Sequence, residues 1–92
     1  MHETGLVRDL VRRLEHAARD AGAERVCGAV VWLGALTNFS AEHFREHFDD
    51  EARGTLAEGA ALKIETSQDI GHPHAQDVMM QSIELDVPDE SG

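Results

Sequence analysis

The sequence predicts a small α/β (α+β) domain in which two helices pack on a three-stranded mixed sheet. Two observations support this fold class: apolar residues recur at helical spacing in two segments, and three other segments are rich in β-branched or alternating apolar residues. In chain order the segments read α-β-α-β-β, and no internal repeat divides the 92 residues. A chain of this length forms one domain with a modest core. We therefore expect a single domain over 1–92, with its last two strands paired as a hairpin.

The first helix is predicted over 5–21, because its apolar residues fall on one face and its charged residues on the other. Thr4 can cap its start, and Gly22 supplies a C-terminal stop. Glu15 and Arg19 form a favourable i,i+4 pair. The apolar positions are Leu6, Val7, Leu10, Val11, Leu14, Ala17, Ala18 and Ala21.

The strand predicted over 25–33 is nearly all apolar, which favours a central place in the sheet. Its Cys27 and Trp32, the only cysteine and the only tryptophan, are expected in the core, as are the three phenylalanines. A single cysteine permits neither an internal disulfide nor a cysteine-based zinc cage within one chain, and it fits a reducing cytosol.

The second helix is predicted over 41–53, with Ser40 as its N-cap. Phe39 before the cap and Phe44 at the fourth helical position can form a hydrophobic staple. Gly54 stands where a C-terminal stop belongs.

Two more strands are predicted over 60–66 and 78–87, separated by a loop over 68–77 that contains glycine and proline. The tail, 88–92, is expected to fray. The apolar residues that alternate along the two strands and should face the core are Leu62, Ile64, Ile83, Leu85 and Val87.

The charge balance narrows the function. Eight Lys and Arg stand against 18 Asp and Glu, a net charge of −10, which argues against nucleic acid and anionic membranes and suits divalent cations or a basic protein partner. No signal peptide and no membrane-spanning segment is visible, so we expect a cytoplasmic protein. Because no nucleophile–base set and no phosphate-binding glycine loop is present, we do not expect an enzyme.

The first three residues, Met1-His2-Glu3, form a candidate metal site. The Met1 amine, the backbone nitrogens of His2 and Glu3 and the His2 ring nitrogen can close around a square-planar ion, a geometry that Ni(II) and Cu(II) prefer. Since these nitrogens must lose protons to bind a metal, the affinity for the metal should decrease as the pH is lowered. The Glu3 carboxylate could instead orient the His2 ring, or simply favour the start of a helix.

Two histidine pairs are secondary metal candidates. His43 and His47 are four residues apart on the second helix, which puts both rings on one face. His72 and His74 flank a proline in the 68–77 loop, where two methionines follow closely enough to make copper conceivable. For each pair the alternative is an ordinary solvated surface.

Six short segments together match the pattern of a known family. They are Met1-His2-Glu3 before the helix at Leu6, Val31–Leu36, Phe39–Glu42, Arg53–Ala60, Leu62–Glu65 and Ser82–Leu85. These segments, spread over essentially the whole chain, resemble the hydrogenase/urease nickel metallochaperone family of the HypA/HybF type.

The resemblance implies a nickel metallochaperone that captures Ni(II) at His2, helped by Glu3, and delivers it during [NiFe]-hydrogenase maturation. Its implied partners are a HypB-type GTPase and/or the hydrogenase large subunit. Members of the family carry a zinc domain with two Cys-x-x-Cys pairs before the last strand, whereas here the 68–77 loop stands in its place, so we expect no zinc.

The sequence leaves open the metalloenzyme served, nickel against copper preference, and whether the chain forms a homodimer. The alternative hypothesis is an adaptor that keeps the fold, transfers no metal, and docks on hydrogenase or its maturation partners.

Overall fold

The computed structural model describes residues 3–37 and 39–88, with the backbone alone for Glu3 and Thr4. The predicted frayed tail therefore lies, apart from Pro88, outside the described residues. The elements are α1 (Glu3–Asp20), β1 (Arg25–Leu33), α2 (Ala41–Ala52), β2 (Ala61–Thr66) and β3 (Val78–Asp86). The α+β class and the order α-β-α-β-β are confirmed, and each boundary lies within two residues of its prediction.

The predicted helix ends are mostly confirmed. The Ser40 Oγ accepts a hydrogen bond from the His43 backbone N–H at 3.1 Å, so Ser40 is the N-cap of α2. The Phe39 and Phe44 rings meet edge to face with their centroids 5.2 Å apart, as a hydrophobic staple requires. After α1 the backbone of Gly22 turns left-handed, with φ +71°. Thr4 was wrongly predicted as a cap, because α1 already begins at Glu3.

The order of the sheet is β2-β1-β3, so the predicted hairpin between the last two strands is wrong. β1 lies in the middle, parallel to β2 and antiparallel to β3. The physical reason for this order is the composition of the strands. β1 is the most apolar strand, and in the central position both of its edges are hydrogen-bonded to a neighbouring strand. The two flanking strands carry charged side chains, which suit the edges of a sheet. The segment between them, 67–77, therefore crosses the end of β1.

The core lies between the helices and one face of the sheet. It is formed by α1, α2 and alternate residues of β1, and no polar side chain is buried in the described part of the chain. Leu62 is buried, and Ile64, Ile83 and Leu85 pack against the core as predicted. The largest fully buried side chains of the core are Val7, Val11, Leu14, Val26, Val31, Leu33, Phe44 and Phe48.

Three residues expected in the core are not there. Trp32 is half-buried, because it alternates with the buried Val31 and Leu33 and thus faces away from the helices. Cys27 is also half-buried, since it is the extra residue of a β-bulge. Val87 follows the end of β3 and is 52% exposed.

Both helices run in the same direction. The short connection 21–24 reverses the chain between α1 and β1, and α2 crosses back between the parallel strands β1 and β2, so each helix opposes β1. Two contacts agree with this direction. Arg8 Nε of α1 lies 3.2 Å from Glu51 Oε2 of α2. Later in α1 and just after α2, the Leu56 N–H donates to Glu15 Oε2 at 3.3 Å. The first turns of α1 and α2 therefore lie at the same end of the domain.

Candidate functional site

Of the predicted N-terminal ligands, Met1 and His2 lie outside the described residues, and Glu3 is described by its backbone, which begins α1. This ligand set stays a prediction. The fold does establish where the first turn of α1 lies. One turn before the Arg8–Glu51 ion pair come Thr4 on α1 and His47 on α2. Since the helices run in the same direction, the start of α1 is at about the level of His47.

The structure brings His43 and His47 together, as their spacing predicts. Their Nε2 atoms lie 2.9 Å apart and their ring centroids 4.5 Å apart. Both side chains are half-buried, and the Phe39 ring lies beside them, at 6.0 Å from the His43 ring and 6.3 Å from the His47 ring. In the neutral pair one Nε2–H donates to the lone pair of the other Nε2, and either ring can be the donor.

The helix that carries this histidine pair, α2, has an excess of negative charge. The sequence of α2 contains five acidic residues and only one arginine. One of the acids, Glu51, pairs with Arg8 of α1, and another, Asp50, pairs with Arg53 after the helix. The remaining excess of carboxylates on α2 favours a bound cation over an anion.

The His72 and His74 rings also lie close together, with centroids 5.9 Å apart, but their nitrogens are already engaged. The His74 backbone N–H donates to His72 Nδ1 at 3.0 Å, so neutral His72 carries its proton on Nε2. His74 Nδ1 lies 2.8 Å from Asp77 Oδ2 and donates to that carboxylate. Only the Nε2 lone pair of His74 is oriented for a metal without breaking a hydrogen bond.

The 68–77 loop also contacts the sheet, which the sequence analysis did not foresee. The His72 ring lies 5.0 Å from the Trp32 ring, centroid to centroid, on the side of the sheet away from the helices. At the end of β1, the Gly34 N–H donates to the Asp77 carbonyl at 2.9 Å and the Leu36 N–H to the Ala75 carbonyl at 2.7 Å. The only local signal was the His-Pro-His sequence, which indicates a turn but not its partner.

Among the described side chains, those of 5–37 and 39–88, no three His, Cys, Asp or Glu converge on a point that could hold a metal ion. Nor does any helix of these two ranges have the length and apolarity needed to cross a bilayer. The described part of the chain thus offers a two-nitrogen pair on α2 and one histidine nitrogen in the loop.

Comparison with known proteins places these features in a family context. The sequence model of a family described as hydrogenase/urease nickel incorporation, metallochaperone, hypA matches residues 1–84. The hydrogenase maturation factor HypA of Geotalea daltonii is 40% identical over 65 residues, which cover 71% of this chain and 56% of that protein. The HypA of Chlorobaculum tepidum is 35% identical over 75 residues, 82% of this chain and 66% of that protein.

Solved structures show the same fold. The solution structure of the nickel metallochaperone HypA from Helicobacter pylori superposes with a TM-score of 0.80, at 18% identity, over 96% of this chain and all of that one. At that identity the likeness concerns the fold alone. The chain spans about 56–66% of the length of the two curated relatives described above.

Proposed function

We propose that this chain, which belongs to the HypA family of hydrogenase/urease nickel-incorporation metallochaperones, binds Ni(II) at its N-terminus and passes it on during [NiFe]-hydrogenase maturation. The observation that carries the proposal is the family match over residues 1–84, which includes the Met1-His2-Glu3 sequence. Its ligands would be the Met1 amine, the backbone nitrogens of His2 and Glu3, and the His2 imidazole. Nickel is here the cargo of the protein.

The chemistry of this ligand set suits a helix start. The N-terminal end of a helix carries a partial positive charge, which disfavours a bare dication. Ionisation of two backbone amides on binding would neutralise the 2+ charge of Ni(II) and remove that conflict. Glu3 is the first residue of α1 as described, so its backbone nitrogen would be the ligand at the start of the helix. An incoming partner can replace such ligands one at a time.

The proposed partners are a HypB-type GTPase and/or the hydrogenase large subunit, met in the cytoplasm. A net charge of −10 supports docking on a basic surface of such a partner. We expect no catalytic activity of the chain itself and no bound zinc, since zinc sites of the cysteine type need several thiolates and the sequence has one cysteine.

A non-transferring adaptor is the second candidate. It is favoured by the lack of any cysteine beyond Cys27, which removes the paired cysteines of the family's zinc domain. Such a protein would dock through its acidic helix α2 or a sheet edge. In a strain that depends on this protein for hydrogenase activity, His2→Ala would leave an adaptor active and would abolish the action of a chaperone.

The test is nickel titration of untagged protein with an authentic Met1, followed by calorimetry and visible absorption at neutral pH. We expect one Ni(II) per chain to give a square-planar d–d band. The band should disappear in His2→Ala and in a variant with a residue added before Met1, which removes the amine ligand. It should persist in His16→Ala, a matched loss of a histidine from α1. A band that survives His2→Ala would contradict the proposed site.

A further inference from the structure

We propose that His43 and His47 form a second metal site, a bidentate imidazole pair for a divalent ion of the Ni(II), Cu(II) or Zn(II) class. This site would be distinct from the N-terminal ligands and would stand even if those ligands bound nothing. Imidazole nitrogen is a ligand that all three ions accept.

The separation of the two nitrogens matches what a metal ion requires. A metal–imidazole bond is about 2.0–2.1 Å long, so two such nitrogens lie about 2.9 Å apart at the right angle of a tetragonal Ni(II) or Cu(II) site and about 3.3 Å apart at the tetrahedral angle of Zn(II). The Nε2 atoms of His43 and His47 are 2.9 Å apart in the described structure. Both side chains project from adjacent turns of one regular helix, which holds them more firmly than a loop would.

The proton shared between the two Nε2 atoms can be relocated within the pair. In the neutral pair one Nε2 carries the hydrogen that it donates to its neighbour. An ion that takes both Nε2 lone pairs requires both ring protons to be on Nδ1, so the donor ring changes tautomer and no net proton leaves the neutral pair.

The surroundings of the pair favour a bound ion that can exchange. The excess of carboxylates on α2 attracts cations, and the half-buried rings lie beside Phe39, which restricts their motion. Among the described side chains no third His, Cys, Asp or Glu converges with the pair, so the proposed site consists of the two imidazoles.

The test uses the full chain carrying His2→Ala, so that the N-terminal site does not contribute. Ni(II) and Zn(II), added as simple salts, are titrated by calorimetry, with ring resonances of the histidines followed by NMR. We expect one equivalent to bind without a square-planar d–d band, and Zn(II) to shift the His43 and His47 rings first. Adding His47→Gln should weaken binding at least tenfold, whereas adding His16→Gln should leave it unchanged.

Three results would overturn the second site: no binding to His2→Ala protein, binding that is unaffected by His47→Gln, or binding that is lost with His74→Gln instead. His43→Gln provides an independent variant, and circular dichroism checks that each variant folds. The N-terminal site is judged by the square-planar band of the wild-type chain, so either site can fail while the other stands.

Discussion

Replacing Gly34 by alanine should loosen the loop from the end of β1. A Cβ at position 34 would overlap the Ala75 carbonyl and lie 2.6 Å from the His74 carbonyl oxygen, both of them backbone groups. Overpacking of this kind costs about 1–3 kcal/mol. If the loop moves away, the Gly34–Asp77 and Leu36–Ala75 hydrogen bonds are lost, at about 0.5–1.5 kcal/mol each. Because a loop that moves away relieves the overlap, the two costs are alternatives, and the free energy of unfolding should fall by about 1–3 kcal/mol.

Urea and thermal unfolding, followed by circular dichroism and by the fluorescence of Trp32, would measure this loss. A fall of this size corresponds to a decrease in Tm of at least about 4 °C for a domain of this length. The Trp32 emission should also shift to the red, because His72 leaves its ring. Gly5→Ala is the matched control: nothing lies within 4 Å of its Cβ and the residue is helical, so this change should stabilise by about 0.5–1 kcal/mol. Equal stability of Gly34→Ala and wild-type protein would refute the reasoning.

Two further changes test the helical layer. Ser40→Ala removes the acceptor of the His43 N–H and should lower the free energy of unfolding in urea by about 1 kcal/mol. Ser40→Asp, which keeps an acceptor, should retain most of the stability. Equal losses in the two variants would argue against capping by Ser40. Phe48→Ala opens a cavity at a side chain that is 1% exposed and should lower the free energy of unfolding by about 3–5 kcal/mol. The same unfolding curves measure this change. A decrease below about 1 kcal/mol would contradict the described core.

Local patterns were enough to predict the elements. Helical periodicity and the Ser40 cap depend on residues a few positions apart, and each was confirmed with boundaries close to those expected. Strand pairing depends on contacts between distant parts of the chain. The alternation of apolar residues in β2 and β3 is compatible with a hairpin. These two strands instead lie on opposite sides of β1, because both edges of β1 need a neighbouring strand. In β1 nearly every residue is apolar, so its sequence could not indicate that Trp32 faces away from the helices.

The sequence predicted the geometry of one histidine pair but not of the other, and for the same reason. The i,i+4 spacing of His43 and His47 fixed their proximity, because helix geometry alone determines it. For His72 and His74 the spacing suggested an equivalent pair, but the loop uses one lone pair of His72 for a backbone hydrogen bond. Sequence cannot reveal this competition, because it depends on the backbone conformation that brings the His74 N–H to His72 Nδ1.

The path of the 67–77 segment over the end of β1 has a consequence for how such a domain can change its length. Ser67 donates to the Leu33 carbonyl, and Asp77 accepts from Gly34, so both ends of the segment are fixed to adjacent residues of the central strand. Two strand spacings, about 10 Å, separate the flanking strands where they meet this segment. A folded module with neighbouring termini could therefore replace the segment, or be lost from it, with little change in chain entropy and without disturbing the sheet. This position in the fold can therefore accommodate the insertion or the loss of a domain.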